Sequence, residues 1–214
     1  PLLCKLILLK IYTNDTLKII DNKFLFHIPS IISKINGTND CLETLQQCRE
    51  ACGGQGYHNN TRIGYYQKHL DIYATFEGDN NVLLQQIFQS YSKILRNKMN
   101  FKYILKYKLS KYFNQYLCSL NNNIRYDGKI NILGFVKTLK EIIDFKTTNI
   151  LLYFADVEQT DFFNIWKEKL DKIIEVSKMI SDLYILESCH HTSDPFIINL
   201  IKLFIINHIK ENIR

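Results

Sequence analysis

The sequence predicts an all-α protein, on three observations. Only three prolines and eight glycines interrupt 214 residues, so long stretches carry no strong helix breaker. Apolar residues make up 46% of the chain, enough for a sizeable core. Several segments place those apolar residues on one side of a helix, as in the run Phe162, Phe163, Trp166, Leu170, Ile173, Ile174, Ser177, Ile180 and Tyr184. The expected architecture is two helical bundles side by side.

The elements follow in order. Residues 2–21 read as a helix whose apolar run is broken by Thr13-Asn14-Asp15, and residues 24–36 continue in helical style, weakened by Pro29 and Gly37. A separate helix is expected from Asp40 to Cys52. There Asp40 can cap, Glu43 stands three residues on, and Leu42, Leu45, Cys48 and Cys52 share a side. Gly53-Gly54 ends it, and residues 53–76 read as a loop. Gly78 to Lys98 is a helix with Val82, Leu83, Ile87, Tyr91, Ile94 and Leu95 as its apolar face. Residues 101–120 interleave lysines with aromatics in a further amphipathic helix, and the polar stretch "NNNIRYDGK" (121–129) follows as a break. Residues 131–155 and 160–188 read as two long helices, and Asp194-Pro195 opens the last, with proline in an allowed first-turn position. The domains expected are therefore 1–120 and 131–214, joined by a linker at 121–130.

Composition narrows the function classes. The net charge is +6, but the lysines are spread along the chain, and abundant Lys, Asn, Ile, Phe and Tyr reflect AT-rich codons more simply than a nucleic-acid partner. The Tyr/Lys pattern at 101–116 reads as a solvated helix face over an aromatic side. Six cysteines form no C-x-x-C pair and are expected as reduced, partly buried thiols. The adjacent His190-His191 should point apart on a helix, with no further ligand four residues on, so no metal site is expected. No apolar run is long enough to span a bilayer, no signal peptide is expected, and the terminal "ENIR" is not a peroxisomal tripeptide.

Chemistry concentrates in residues 48–86, "CREACGGQGYHNNTRIGYYQKHLDIYATFEGDNNVLLQQ". "CREACGG-x-GY", a loop with Arg62 and Asp71, and "TFEGDNNVLLQQ" at this spacing resemble the acyl-CoA oxidase family, relatives of the acyl-CoA dehydrogenases. The close match covers about 40 residues; a looser one reaches back to His27 and forward beyond residue 131, where the helices resemble the extra C-terminal helical domain of the oxidases. Gln55 stands where the family most often has His.

The resemblance implies a reaction. A fatty acyl-CoA loses its α-proton to a carboxylate and its β-hydride to FAD, giving a trans-2-enoyl-CoA, and O2 is then reduced to H2O2. The catalytic base falls on Glu77, with Gly78 beside it at the thioester. Arg49 and Glu50 are alternative polar contacts to FAD, Gly53 and Gly54 match a turn that packs against FAD, commonly that of a neighbouring subunit, and Asp79 and Asn81 match FAD-contacting positions. A homodimer and a peroxisomal location are likewise implied.

Local chemistry supports the base. An α-proton beside a thioester is weakly acidic, so its acceptor must touch it and be poorly hydrated; Phe76 and a closed acyl pocket are expected to wall the Glu77 carboxylate and raise its proton affinity. Gly78 removes a Cβ from the approach, and the free N–H groups of the next helix suit a phosphate or ribose. The structural alternative is an acid that merely favours a helix N-terminus. The N-terminal helical domain and central β-domain of the family do not fit in the 76 residues before Glu77. The chain is therefore expected to be a fragment or truncated gene model of an oxidase. The alternative is a non-catalytic helical interaction protein derived from that family.

Overall fold

The computed structural model describes residues 2–98, 125–126, 129–155 and 161–212. These form eight α-helices: α1 (Leu2–Leu17), α2 (Lys23–Ala51), α3 (Ile63–Thr75), α4 (Asn80–Lys98), α5 (Ile132–Ala155), α6 (Phe162–Glu168), α7 (Leu170–Cys189) and α8 (Pro195–Asn212). Two short 3-10 turns, Gly53–Tyr57 and Asn59–Thr61, link α2 to α3. The fold is all-α. The described strands are the two-residue β1 (Arg125–Tyr126) and β2 (Lys129–Ile130), paired antiparallel with Arg125 opposite Ile130. Among the described residues no helix is long and apolar enough to cross a membrane.

The chain divides into two compact units, 1–83 and 84–214, with the boundary inside α4. The expected linker at 121–130 is described only at its two strand segments, and the amphipathic helix expected at 101–120 lies outside the described residues.

In the first unit α1 packs on α2, and α2 on α3. Cys4, Leu8 and Tyr12 recur every fourth residue, and Ile28, Ile31, Ile32 and Ile35 fall on one face of α2; all are buried. That burial explains why α2 is one helix of 29 residues where two were expected. Pro29 lies inside it, and Gly37 adds about 1 kcal/mol of propensity cost, yet Ile31, Ile32 and Ile35 lie between them in the core. Asp40 is therefore mid-helix, and its carbonyl accepts from the Thr44 hydroxyl (2.6 Å). The N-cap is Asn22, whose side chain accepts from the Leu25 N–H (3.2 Å). Helix α1 runs through Thr13-Asn14-Asp15 as expected and ends at Leu17, short of the expected residue 21.

The segment 53–76, expected as a loop, contains α3. Its half-buried stripe is Ile63, Gln67, Leu70 and Ala74, at helical spacing but with only two large apolar residues. Its rings, Tyr65, Tyr66 and Tyr73, face outward, which hides the period from a reading of hydrophobicity alone.

In the second unit α7 packs against α5, and α8 against both. Phe135, Leu139, Ile142 and Ile143 of α5, Ile173, Val176, Ile180 and Leu183 of α7, and Ile201 and Ile205 of α8 form the core, with Leu84, Ile87, Phe88 and Leu95 of α4 also buried. The expected α4 face thus gains Leu84 and Phe88 and loses Val82, which is exposed. The helix expected at 160–188 is interrupted at Lys169. In α6, Phe162 and Trp166 stack at 5.9 Å, but Phe163 points out. The indole N–H of Trp166 donates to Gln85 Oε1 (2.8 Å), satisfying the polar end of a part-buried ring. Asp194 caps α8 by accepting from the Phe196 N–H (2.8 Å), as Pro195 at the first turn led one to expect.

Candidate functional site

The residues singled out by sequence gather at the two ends of α3. A 13-residue helix is about 20 Å long, so the double-glycine corner before it and the Glu77 turn after it are separate surfaces.

At the corner, each glycine has a different reason. Gly53 has φ +56, a left-handed conformation that costs other residues free energy. Gly56 is buried, and a Cβ there would lie 2.3 Å from the Arg49 carbonyl oxygen, so only glycine lets the turn close on α2. Gly54 answers to neither demand: its φ is ordinary, it is exposed, and an added Cβ would meet nothing within 4 Å.

Arg49 and Glu50, offered as alternatives, are placed differently. The Arg49 guanidinium lies 4.7 Å from the Tyr57 ring centroid and its Nε donates to Gln46 Oε1 (3.2 Å). Glu50 is far more open, with a side chain 61% exposed against 18% for Arg49, and its carboxylate accepts from Gln46 Nε2 (2.6 Å). Beside the corner Tyr57, His58, Asn59, Arg62, Gly64 and Tyr65 line an open cavity of about 430 Å³. Arg62 itself adopts φ 57.

The second surface is the turn Phe76–Asp79. Phe76 closes α3, its N–H donating to the Ile72 carbonyl (3.0 Å). Glu77 then takes φ 56 and Gly78 φ 104. Asp79 caps α4: its carboxylate accepts from the Asn81 N–H (2.8 Å) and its carbonyl from the Leu83 N–H (2.9 Å). Gly78 is needed for its φ and because a Cβ would press on the Leu83 side chain at 3.1 Å. Glu77, with no such freedom, holds a left-handed φ that costs an L-residue about 1–2 kcal/mol.

One local expectation is corrected. Phe76 by itself does not shield the carboxylate from water: the residue is 55% exposed, and Glu77 is exposed beside it. The chain presents the Glu77 side chain on its surface.

The turn is fixed from α2 by residues the sequence reading passed over. Lys34 Nζ donates to the carbonyls of Ala74 (3.2 Å) and Gly78 (2.7 Å) and to Asn80 Oδ1 (2.6 Å). Buried Asn80 returns its amide N–H groups to Thr38 Oγ1 and Asn39 Oδ1, both at 2.9 Å. Desolvation pulls the Lys34 pKa below the usual lysine value, offset in part by the Asp79 and Glu77 carboxylates. The signal was a polar set at i, i+4 and i+5 on an otherwise isoleucine-rich helix.

Elsewhere, His190 and His191 do not point apart: at the end of α7 their rings lie 3.6 Å apart between centroids. Among the described residues no group of three His, Cys, Asp or Glu is placed to hold a metal ion. Of the described cysteines, Cys4 and Cys189 are buried, and Cys48 and Cys52 are exposed.

Residues 11–91 match the family described as Acyl-CoA oxidase, C-alpha1 domain. Acyl-coenzyme A oxidase 3, peroxisomal, of Arabidopsis thaliana is 52% identical over 46 residues, 22% of this chain and 7% of that protein. The peroxisomal acyl-coenzyme A oxidase 3 of Homo sapiens is 55% identical over 42 residues, 20% of this chain and 6% of that one. The fold matches acyl-CoA oxidase 3 of Yarrowia lipolytica with TM-score 0.64 at 18% identity, over 98% of this chain and 33% of that one. It matches acyl-CoA oxidase-1 of Caenorhabditis elegans, solved with FAD and ATP, with TM-score 0.68 at 17% identity, over 93% of this chain and 33% of that one. The chain thus spans about a third of the length of the solved oxidases it resembles. Residues 11–91 thus match the C-alpha1 domain of the acyl-CoA oxidases, and the chain as a whole resembles a C-terminal part of those proteins.

Proposed function

We propose that this chain carries the general base of a flavin-dependent acyl-CoA oxidase, with Glu77 taking the α-proton of a fatty acyl-CoA. The observation that supports this most is the backbone of Glu77. Arg62 and Glu77 are the non-glycine residues with positive φ among the described residues, and of the two Glu77 is the carboxylate, set in the oxidase-like stretch "TFEGDNNVLLQQ".

The residues have distinct roles in this reading. Glu77 accepts the C2 proton, and by family resemblance its main-chain N–H holds the thioester oxygen, stabilising the enolate-like charge as it develops. Gly78 leaves room for the thioester beside the base. The exposed Phe76 ring and Glu77 are covered by the acyl chain on binding, which expels water and strengthens the carboxylate as a base. Glu50, Gly53 and Gly54 form one contact to FAD and Asp79 and Asn81 another, with Arg49 bracing the corner behind them. Gly54 fits this role: its missing side chain leaves open space where a ligand can approach the backbone. When bound, FAD supplies the hydride acceptor, and its reoxidation by O2 gives H2O2. The separation of about 20 Å along α3 accords with the family arrangement, in which the double glycine meets the FAD of a neighbouring subunit; a homodimer is therefore part of the proposal. So is a peroxisomal location, from the names of the Arabidopsis and human relatives.

In an oxidase carrying this segment, Glu77→Gln removes acyl-CoA-dependent H2O2 release while FAD stays bound; undiminished release refutes the assignment. A second reading, a non-catalytic helical interaction protein, is favoured by the exposed rings of Tyr57, Tyr65, Tyr66, Tyr73 and Phe76. An FAD-loaded wild type without acyl-CoA-dependent peroxide release would support it instead.

A further inference from the structure

We propose that Lys34 is the positioning residue of the catalytic turn, holding Glu77 in its left-handed conformation by clamping the main chain on both sides of it; this rests on the reading of Glu77 as the base. An ammonium group has three N–H donors, and Lys34 aims one at each of three acceptors on the α3–α4 turn. Two of these are main-chain carbonyls, of Ala74 three residues before Glu77 and of Gly78 one residue after it. The Ala74 carbonyl is one of the last four of α3, which have no partner within their own helix. The third bond reaches Asn80, which Thr38 and Asn39 hold in turn, so one face of α2 makes five hydrogen bonds to residues 74–80.

A strained φ persists only where the surroundings over-determine it. The Glu77 carboxylate itself accepts no hydrogen bond among the described residues, so the constraint acts through the backbone. Losing the bond to the Gly78 carbonyl lets Glu77 relax to negative φ, which redirects its Cα–Cβ bond and moves the carboxylate off the C2 proton. The Lys34 charge is attracted by both Asp79 and Glu77, but among the described residues it forms no salt bridge with either, so the base is held without being tied up as an ion pair.

The test uses an FAD-loaded oxidase carrying this segment, with Lys34→Met, Lys34→Arg and Glu77→Gln. For Lys34→Met the expectation is a kcat lower by about 10- to 100-fold with KM little changed, as for a misplacement of about 1 Å. With C2-deuterated acyl-CoA its isotope effect should rise, because proton removal becomes slower than the later steps. Lys34→Arg, which keeps the charge but not the three-way donor geometry, should fall between. In this chain itself, Lys34→Met should speed amide hydrogen exchange at 75–79 and leave α1 unchanged. A Lys34→Met enzyme with wild-type kcat and isotope effect per bound FAD overturns the positioning role, as does a loss wholly accounted for by missing FAD. Should Lys34→Met not fold, wild-type kinetics in Lys34→Arg has the same force. Turnover in Glu77→Gln would instead overturn the base; an inactive Glu77→Gln with a wild-type Lys34→Met overturns only the clamp.

Discussion

Replacing Glu77 with glycine should leave the fold at least as stable while destroying the proposed activity. The φ of 56 costs an L-residue about 1–2 kcal/mol. Glycine removes that penalty but adds conformational freedom to the unfolded chain, worth about 0.5–1 kcal/mol in the other direction. Little else is lost: the Glu77 side chain is exposed, accepts no hydrogen bond among the described residues, and its attraction to Lys34 is screened by water. The net expectation is a gain of about 0–1.5 kcal/mol. For a unit the size of residues 1–83 about 1 kcal/mol moves Tm by about 4–8 °C, so the rise should not exceed about 12 °C. Urea unfolding of the chain followed by circular dichroism measures this; because residues 1–83 and 84–214 are separate compact units, the transition to compare is that of the first. A loss of more than about 1 kcal/mol would refute the reasoning, since it would mean that the Glu77 side chain stabilises the fold by more than its strain costs.

The glycines of the corner should separate in the same assay. Gly56→Ala forces a Cβ to within 2.3 Å of the Arg49 carbonyl and should cost about 1–3 kcal/mol, whereas Gly54→Ala should stay within about 0.5 kcal/mol of wild type. In an oxidase carrying this segment, Gly54→Ala should nonetheless lower FAD content; full flavin loading would remove it from the cofactor contact. In the second unit the Tyr91 hydroxyl donates to Asp144 (2.6 Å), and burial, with that bond, raises its pKa far above the usual tyrosine value. The unfolded state releases this proton near pH 10 and the folded state keeps it, so its stabilisation is complete below about pH 10 and declines above it. Tyr91→Phe should cost about 1.5–3 kcal/mol at neutral pH and make the alkaline decline shallower, leaving the share of Tyr184, whose pKa burial also raises. Unfolding between pH 8 and 11 reads both.

What the sequence made legible follows the strength of local signals. Helices α4, α5, α7 and α8 carry apolar residues at helical spacing, and their cores include Ile87, Ile143, Ile180 and Ile201 where that spacing puts them. The failures are tertiary. Pro29 and Gly37 suggested a break that buried Ile31, Ile32 and Ile35 override, so a capping pattern at Asp40 came to lie inside a helix. Helix α3 went unseen because its inward stripe contains Gln67 and Ala74 while its tyrosines face out.

At the candidate site the residue types were readable but not their conformations. Nothing local announces that Glu77 is left-handed, that Gly56 rather than Gly54 closes the turn on α2, or that Lys34 reaches across more than forty residues to hold the turn. The share of the desolvated setting expected from Phe76 did not follow, because a ring beside a carboxylate in sequence need not cover it in space.

The central claim is that Glu77 is the proton acceptor, and mixing a long-chain acyl-CoA anaerobically with an FAD-loaded oxidase carrying this segment tests it most directly. The wild-type flavin absorbance should bleach as the substrate is oxidised, and Glu77→Gln, with its flavin still bound, should stay yellow over the same interval. Bleaching of Glu77→Gln at the wild-type rate would contradict the account.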